Sequence, residues 1–152
     1  MRSLESIEHK TKRIIRHYER MTGSLDPVTI AQYAGIRIAI MPLGDIAGNY
    51  ILIKRKRWIF INDNIPQDSP LFKVVISHEL GHALLHQKEN CAFIKSKTLL
   101  LTSGIEREAN LFAAHLLIPD DMLMKYKGYT KEKFCNCTGY PKELIDLRLK
   151  IP

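Results

Sequence analysis

The chain has 152 residues, of which 45% are hydrophobic and 26% charged, a balance typical of a globular protein that can build a core. No apolar run approaches the about 18 residues of a membrane-spanning helix, and the first residues lack a signal-peptide pattern. With only three cysteines as well, we expect a cytoplasmic protein without a disulfide framework or a membrane partner. The net charge of +7 permits a nucleic acid or an acidic protein as partner and requires neither.

Periodicity in the first half of the chain predicts two helices followed by a small β-region. Apolar residues at helical spacing indicate an amphipathic first helix with a basic solvent face. Asp26 and Pro27 are typical of an N-cap and a first helical residue. The two later strands form a predicted hairpin whose turn carries the basic residues 54–57. The predicted elements are helix 4–18, helix 26–34, strand 36–40, strand 50–53 and strand 58–61, with residues 41–49 as a loop.

The second half is predicted to be mainly helical. Ser69 and Pro70 open a long helix that continues to about Gln87. Residues 88–102 are ambiguous. Further helices are predicted over residues 103–117, 120–127, 131–137 and 141–150. We therefore expect one α+β domain over residues 1–152, with a core over 1–127 and a small helical tail over 128–152.

The long helix carries the sequence His78-Glu79-Leu80-Gly81-His82. Histidines at positions i and i+4 lie on one helical face, so both can bind one metal ion. Glu79 is rotated about 100° around the helix, where it can act as the general base that deprotonates water. Zinc suits two imidazoles and a carboxylate. A chance pattern is the alternative, but Gly81 costs about 1 kcal/mol inside a helix and indicates a close approach of substrate or of another backbone.

A third metal ligand has to come from a different element. Glu106 and Asn110 share a helical face that continues into apolar positions, which predicts that both side chains point inward. We expect Glu106 to bind the metal and Asn110 to hydrogen-bond a ligand histidine. Glu108 is turned about 200° from Glu106 and is expected to face solvent. His86 lies about 12 Å along the helix from His78, so we expect it to support the site or to pack beside it.

These residues resemble the ImmA/IrrE family of metallo-endopeptidases. The resemblance rests on residues 77–86 followed by residues 106–119, and it extends to residues 29–38 and 60–62. It reaches weakly into residues 134–149, which are similar to a helix-turn-helix-like tail. The family implies a zincin-like α+β fold with a small β-hairpin or sheet, a helix that carries the His-Glu-x-x-His motif and a second helix that carries the glutamate ligand.

The resemblance also implies the roles of the site residues. Carried over to this sequence, zinc would be held by His78, His82 and Glu106, with Glu79 as the general base. Asn110 stands where Asp is frequent in related sites, which should weaken its hydrogen bond without abolishing it. The implied activity is site-specific cleavage of a Cro/CI-type repressor of a phage or mobile element, so the implied partner is a separate repressor protein.

Other functions remain open at this point. The chain could be a non-catalytic, zinc-containing regulator or a toxin–antitoxin partner that binds protein or DNA, although direct nucleic-acid binding is not expected. Residues 54–57 could bind nucleic acid or an acidic repressor surface, but a solvated turn is the simpler interpretation. We expect Cys135 and Cys137 to be packing residues and Trp58 to pack within the hairpin. A substrate strand is expected to add to the hairpin edge. Candidate oxyanion donors, each expected to be structural, are His115, Tyr126 and Tyr129.

Overall fold

The computed structural model describes residues 4–88, 91–94 and 104–150. The α+β prediction is confirmed, and the described elements follow the predicted order with one added strand. Position 103, where the fourth helix was expected to begin, lies outside the described residues, as does most of the ambiguous segment. The elements are α1 (Leu4–Thr22), α2 (Pro27–Tyr33), β1 (Arg37–Met41), β2 (Ile46–Ile53), β3 (Lys56–Asn62), α3 (Pro70–Leu85), β4 (Cys91–Ile94), α4 (Gly104–Leu117), α5 (Asp120–Lys125), α6 (Lys131–Thr138) and α7 (Lys142–Leu149).

The four described strands form one mixed sheet in the order β1-β3-β2-β4. Strand β1 pairs with β3 in parallel, and β2 is antiparallel to both β3 and β4. The predicted hairpin is therefore β2–β3, and Lys54 and Arg55 form its turn with positive φ angles of 48° and 67°. Strand β2 begins at Ile46 rather than at Tyr50, because two glycines in residues 41–49 were interpreted as loop residues although Gly48 is paired with Ile61.

Both hairpin strands have a neighbour on their outer side, β4 beside residues 46–50 of β2 and β1 beside residues 58–62 of β3, so most of the hairpin edge is already paired. The expectation that a substrate strand adds to the hairpin edge is wrong for this reason. Among the described strands, the outer edges of the sheet belong to β1 and β4. Strand β4 packs against α3, which brings this edge beside the helix that carries the histidines.

Helix α3 lies at the centre of the molecule. It begins at Ser69, whose hydroxyl accepts a hydrogen bond from the backbone N–H of Phe72, and Pro70 occupies the first helical position. The sheet covers one side of α3 and α4 covers another, so residues on most of its circumference are buried. A helix that is apolar all round is one that belongs in a core, and this position buries the polar motif as well.

Helices α3 and α4 approach closely at Gly81. A Cβ atom added to Gly81 would lie 3.1 Å from the Cβ of Phe112 and 3.2 Å from both the Cα and the carbonyl oxygen of Ala109. The structure thus supplies the reason for a mid-helix glycine that the sequence indicated, and the approaching group is another backbone. This contact sets the first turns of α4 against the motif of α3.

The C-terminal helices pack into the same buried cluster as α3. Phe134 of α6 and Leu144 and Ile145 of α7 belong to it, and α7 packs against α4. At the turn between α6 and α7, Gly139 has a φ of +77°, and a Cβ atom there would lie 2.5 Å from Cγ of Pro70. Within the part of the chain that the structure describes, no helix has the length and hydropathy needed to cross a membrane.

Candidate metal centre

The two histidines of the motif bring one nitrogen each to a common point. The Nε2 atoms of His78 and His82 are 3.1 Å apart, and both residues are almost fully buried. One helical turn separates the residues, so their rings meet edge to face with centroids 4.7 Å apart. Burial lowers the pKa of His82, although its hydrogen bond with Glu106 opposes the shift. His82 is therefore held as neutral imidazole, which is the form that binds metals.

Glu106 of α4 completes this cluster. Its Oε2 atom lies 3.0 Å from Nε2 of His78, and its Oε1 atom lies 2.9 Å from Nε2 of His82. Burial alone would raise the pKa of this carboxyl group, but the hydrogen bonds to the two histidines outweigh burial and hold the pKa well below its usual range. The ionised form of Glu106 is thus the stable one.

The donor set and its spacing fit a zinc ion. Ligand atoms about 2.0–2.2 Å from one ion in tetrahedral geometry lie on the order of 3 Å from one another. The three distances among His78, His82 and Glu106 are 2.9, 3.0 and 3.1 Å. His78, Glu79 and His82 also have potential ligand atoms within 4.8 Å of one another. Glu106 is the better third ligand because its two oxygens directly contact both Nε2 atoms.

Each histidine has a hydrogen-bond partner at its other ring nitrogen. Nδ1 of His78 lies 2.6 Å from Oδ1 of Asn110, and since an amide oxygen only accepts, His78 donates. Nδ1 of His82 lies 3.0 Å from Nδ1 of His86, whose Nε2 lies 2.7 Å from Oε1 of Glu108. The expectation that Glu108 faces solvent is wrong, because its side chain is only 15% exposed and contacts His86.

Glu79 has the environment of a general base without a fixed partner. It is fully buried, and neither carboxylate oxygen has a hydrogen-bond partner among the described residues. Burial and the nearby charge of Glu106 raise the pKa of Glu79 well above its usual value. Gly48 of β2 makes room for this side chain, because a Cβ atom there would lie 3.3 Å from Cγ of Glu79 and 2.6 Å from Cγ1 of Val75. Sequence reasoning missed Gly48, which was assigned to a loop.

The remaining histidine and tyrosine candidates have partners elsewhere. His115 lies on another face of α4, with Nε2 3.9 Å from Oε1 of Glu8 in α1. The ring of Tyr126 packs edge to face against Phe134, and Tyr129 is 43% exposed. That these three residues are structural stays a prediction from the sequence.

The other polar features set aside from the sequence are also located. Arg57 donates hydrogen bonds to the carbonyl oxygens of Ala34 and Ala83, so it ties the hairpin to α2 and α3. Trp58 stacks on Phe60 with ring centroids 5.7 Å apart, within the hairpin as predicted. Cys135 is half-buried, but Cys137 is exposed, so the expectation that both are packing residues is wrong for Cys137. The described side chains form no second cluster of potential metal ligands.

Comparison with known proteins connects this cluster to metallopeptidases. The profile of the IrrE N-terminal-like domain family matches residues 31–150. An "Uncharacterized immunity region protein 2" of Bacillus phage phi105 is 37% identical over 145 residues, which cover 93% of this chain and 88% of the phage protein. The "Metallopeptidase ImmA" of Bacillus subtilis (strain 168) is 27% identical over 151 residues, which cover 95% of this chain and 85% of that protein.

Proposed function

Because the chain belongs to the ImmA/IrrE family of metallopeptidases, we propose that it is a zinc-dependent endopeptidase that cleaves a transcriptional repressor. His78, His82 and Glu106 hold the zinc ion, and Glu79 is the general base. Asn110 orients His78 by accepting its Nδ1 proton. The observation that carries this proposal is the contact of both Glu106 oxygens with the two Nε2 atoms, beside a buried carboxylate that has no hydrogen-bond partner among the described residues.

The residues of the chain divide the reaction between them. A zinc ion supplies Lewis-acid polarisation of a peptide carbonyl and acidifies water. Glu79 accepts a proton from the attacking water and passes it to the nitrogen of the leaving amine. Its raised pKa suits both steps, since a base that later acts as an acid works best near the ambient pH. A positioned general base contributes about 10²–10⁴-fold to the rate.

The substrate strand adds to the outer edge of β4. Among the described strands, β4 pairs with β2 alone, and it packs against α3. An extended peptide on this edge would gain backbone hydrogen bonds and would run beside the helix that carries His78 and His82. This edge replaces the hairpin edge expected from the sequence, most of which is already paired.

The repressor is inferred from the relatives and from the family. One relative is named for the immunity region of a phage and another is a metallopeptidase, and each match covers more than nine tenths of this chain. A Cro/CI-type repressor of a phage or mobile element is the corresponding substrate. The chain would then act as an anti-repressor in the cytoplasm and would bring about a change in transcription by proteolysis.

Replacement of the general base tests the activity. We expect Glu79→Gln to keep stoichiometric zinc and to lose cleavage by at least about 10²-fold, because the amide cannot accept the proton. Wild type and variant are co-expressed with a panel of Cro/CI-type repressors, and fragments are measured by intact-mass spectrometry. Cleavage by Glu79→Gln at the wild-type rate would exclude Glu79 as the general base. A zinc-loaded wild type that cleaves none of the repressors and no member of a peptide library would refute the endopeptidase.

Elemental analysis tests the metal independently of the substrate. We expect about one zinc per wild-type chain, since one cluster of three ligands holds one ion. Glu106→Ala should lose this zinc, while Glu79→Gln should retain it. If Glu79→Gln loses the metal and Glu106→Ala keeps it, the two glutamates have the opposite roles.

A basic stripe on α1 supports the alternative of a regulator that binds DNA. Arg13, Arg16 and Arg20 are exposed at helical spacing, and none forms an ion pair with a residue whose side chain the structure describes. The triple change of these arginines to Gln should lower the salt slope of duplex DNA binding by about 2.7, at about 0.9 for each lost phosphate contact. Changing residues 54–56 to Gln removes three charges elsewhere and is the matched control. Salt-independent or undetectable binding by wild type would exclude this alternative.

A further inference from the structure

The two proposed ligand histidines are supported in different ways. Behind His78 stands the neutral amide of Asn110, at 2.6 Å. Behind His82 stands His86, at 3.0 Å, and behind His86 stands the carboxylate of Glu108, at 2.7 Å. The second arrangement extends over two side chains and ends in a charge, and the family motif assigned no role to either residue.

The available donors and acceptors fix the direction of the hydrogen bonds that link His82, His86 and Glu108. An ionised carboxylate only accepts, so Nε2 of His86 carries the proton that is donated to Glu108. The other ring nitrogen of a neutral His86 is then an acceptor, and Nδ1 of His82 donates to it. This tautomer leaves the Nε2 lone pair of His82 for a metal ion at the point shared with His78 and Glu106, in place of the proton that Nε2 donates to Glu106 when no metal is bound. The hydrogen bonds from His82 through His86 to Glu108 thus select the tautomer of His82 that a metal requires.

The backbone holds His86 in the position that these hydrogen bonds need. His86 is the C-cap of α3, with a φ of −129° and a ψ of 50°, and its N–H donates to the carbonyl oxygen of His82 at 2.7 Å. The hydroxyl of Tyr50 donates to the carbonyl oxygen of the next residue, Gln87, at 2.5 Å. Because His86 lies one helical turn beyond His82, its imidazole stands on the same face of α3 and contacts that of His82.

Helix α4 holds Glu108 at the other end of this series of hydrogen bonds. Glu106 and Glu108 leave the first turn of α4 two residues apart, and both reach α3. The Glu108 side chain is 15% exposed and that of His86 only 6%, so their hydrogen bond is largely shielded from water. A charge-assisted hydrogen bond in such a place is stronger and more directional than one between neutral groups.

We infer that His86 and Glu108 are positioning residues that orient His82 and strengthen it as a zinc ligand. This inference rests on the proposed function, because it assumes that His82 binds zinc. Glu108 acts through His86 and has no separate effect on the metal. Loss of a group that orients a metal-bound histidine costs about 10–100-fold in metal affinity, and we expect that loss for each of the two residues.

A double-mutant cycle on zinc affinity tests the inference. Glu108→Gln is nearly isosteric, and His86→Phe fills the space of the imidazole while removing both hydrogen bonds. Zinc affinity of wild type, both single variants and the double variant is measured by competition with a chromophoric chelator at pH 7. Each single variant should bind zinc about 10–100-fold more weakly, and the double variant should be no weaker than His86→Phe. His86→Gln, which can accept and donate at once, should restore part of the loss.

Three results would overturn the inference. If Glu108→Gln weakens zinc binding in the His86→Phe background as much as in wild type, Glu108 acts by its charge alone. If Glu108→Gln binds zinc as tightly as wild type, the charge of Glu108 does not strengthen His82 as a zinc ligand. If wild type binds no zinc, the inference fails together with the proposed function, whereas the first two results leave that function intact. Thermal unfolding of the zinc-free proteins serves as the control and should differ little among the variants.

Discussion

Two faces of α4 bury histidine contacts of different kinds. Against α3, the polar atoms of His78 and Asn110 pair with each other at 2.6 Å, and Glu106 contacts two imidazoles. Against α1, His115 is only 6% exposed, but its Nε2 has no hydrogen bond to a described residue, and Glu8 lies 3.9 Å away. The histidines are thus buried at both faces, so burial does not distinguish the two faces.

The difference lies in the groups behind each ring. A histidine that presents an unprotonated nitrogen to a metal needs an acceptor at the other nitrogen, and both His78 and His82 have one. For His115, burial and the nearby charge of Arg148 instead lower the pKa to about 4, which keeps the ring neutral. A buried histidine thus becomes a candidate ligand through its hydrogen-bond partners and through a convergent carboxylate.

The largest contrast between the two faces is expected in metal binding. His82→Ala removes a proposed ligand. Loss of a group that only supports a ligand costs up to about 100-fold in zinc affinity, so the affinity of His82→Ala should fall by more than that. His115→Ala should leave zinc affinity unchanged. Both variants are titrated with zinc against a chromophoric chelator. A loss of zinc in His115→Ala that is as large as in His82→Ala would show that the two faces are coupled.

A smaller contrast is expected in the pH dependence of stability. The pKa of His115 is about 4 in the folded protein and 6.5 for an unperturbed imidazole, so the unfolded chain binds a proton first as the pH falls. Stability from this group is therefore complete above pH 6.5 and is lost towards pH 4, by about 3 kcal/mol. The charged groups around His115 are Glu8 and Lys12 of α1, Asp120 of α5 and Arg148 of α7.

His115→Gln separates this effect from the titration of all other groups. The variant cannot bind the proton, so wild type should lose about 2–3 kcal/mol of unfolding free energy relative to it between pH 7 and pH 4.5. Urea denaturation of the zinc-free proteins at both pH values gives the two differences. Parallel pH profiles would mean that His115 is protonated as easily in the folded protein as in the unfolded chain.

The smallest effect is expected at the contact between α3 and α4. Gly81→Ala places a methyl group 3.2 Å from the backbone of Ala109, so the helices must move apart by a few tenths of an ångström. Overpacking costs about 1–3 kcal/mol, and the better helix propensity of alanine returns about 1 kcal/mol. A net loss of stability and weaker zinc binding are therefore expected. Gly104→Ala, which has no neighbour within 4 Å, is the control, and an equal response of both variants would exclude the contact as the cause.

Local signals predicted the elements whose cause is local. Ser69 and Asp26 accept hydrogen bonds from the N–H groups of Phe72 and Thr29, as their positions before a proline indicated. The face shared by Glu106 and Asn110 was also predictable, because helical spacing alone sets their angular separation. The family assignment followed from the same two segments, and it is confirmed by the profile match over residues 31–150.

Longer-range features were not predictable in this way. The parallel pairing of β1 with β3 and the position of β4 at the sheet edge depend on segments that are distant in sequence. Glu108 was assigned to solvent from its angle around α4, but an angle does not say which neighbour occupies that direction. His86, one helical turn beyond His82 at the end of α3, is that neighbour.

The sequence by itself determined that two histidines and a glutamate share one turn of a helix, since 3.6 residues per turn leave no other arrangement. Only the tertiary structure decided that Glu108 as well as Glu106 contacts a histidine of α3 or its C-cap. Gly81 lets α4 approach α3 at the backbone, which brings Glu106 within 3.0 Å of both imidazoles and Glu108 within 2.7 Å of His86. The rotation of one helix against another depends on the volumes of the side chains that meet at their contact. Those side chains come from both helices, so neither helical segment determines the rotation by itself.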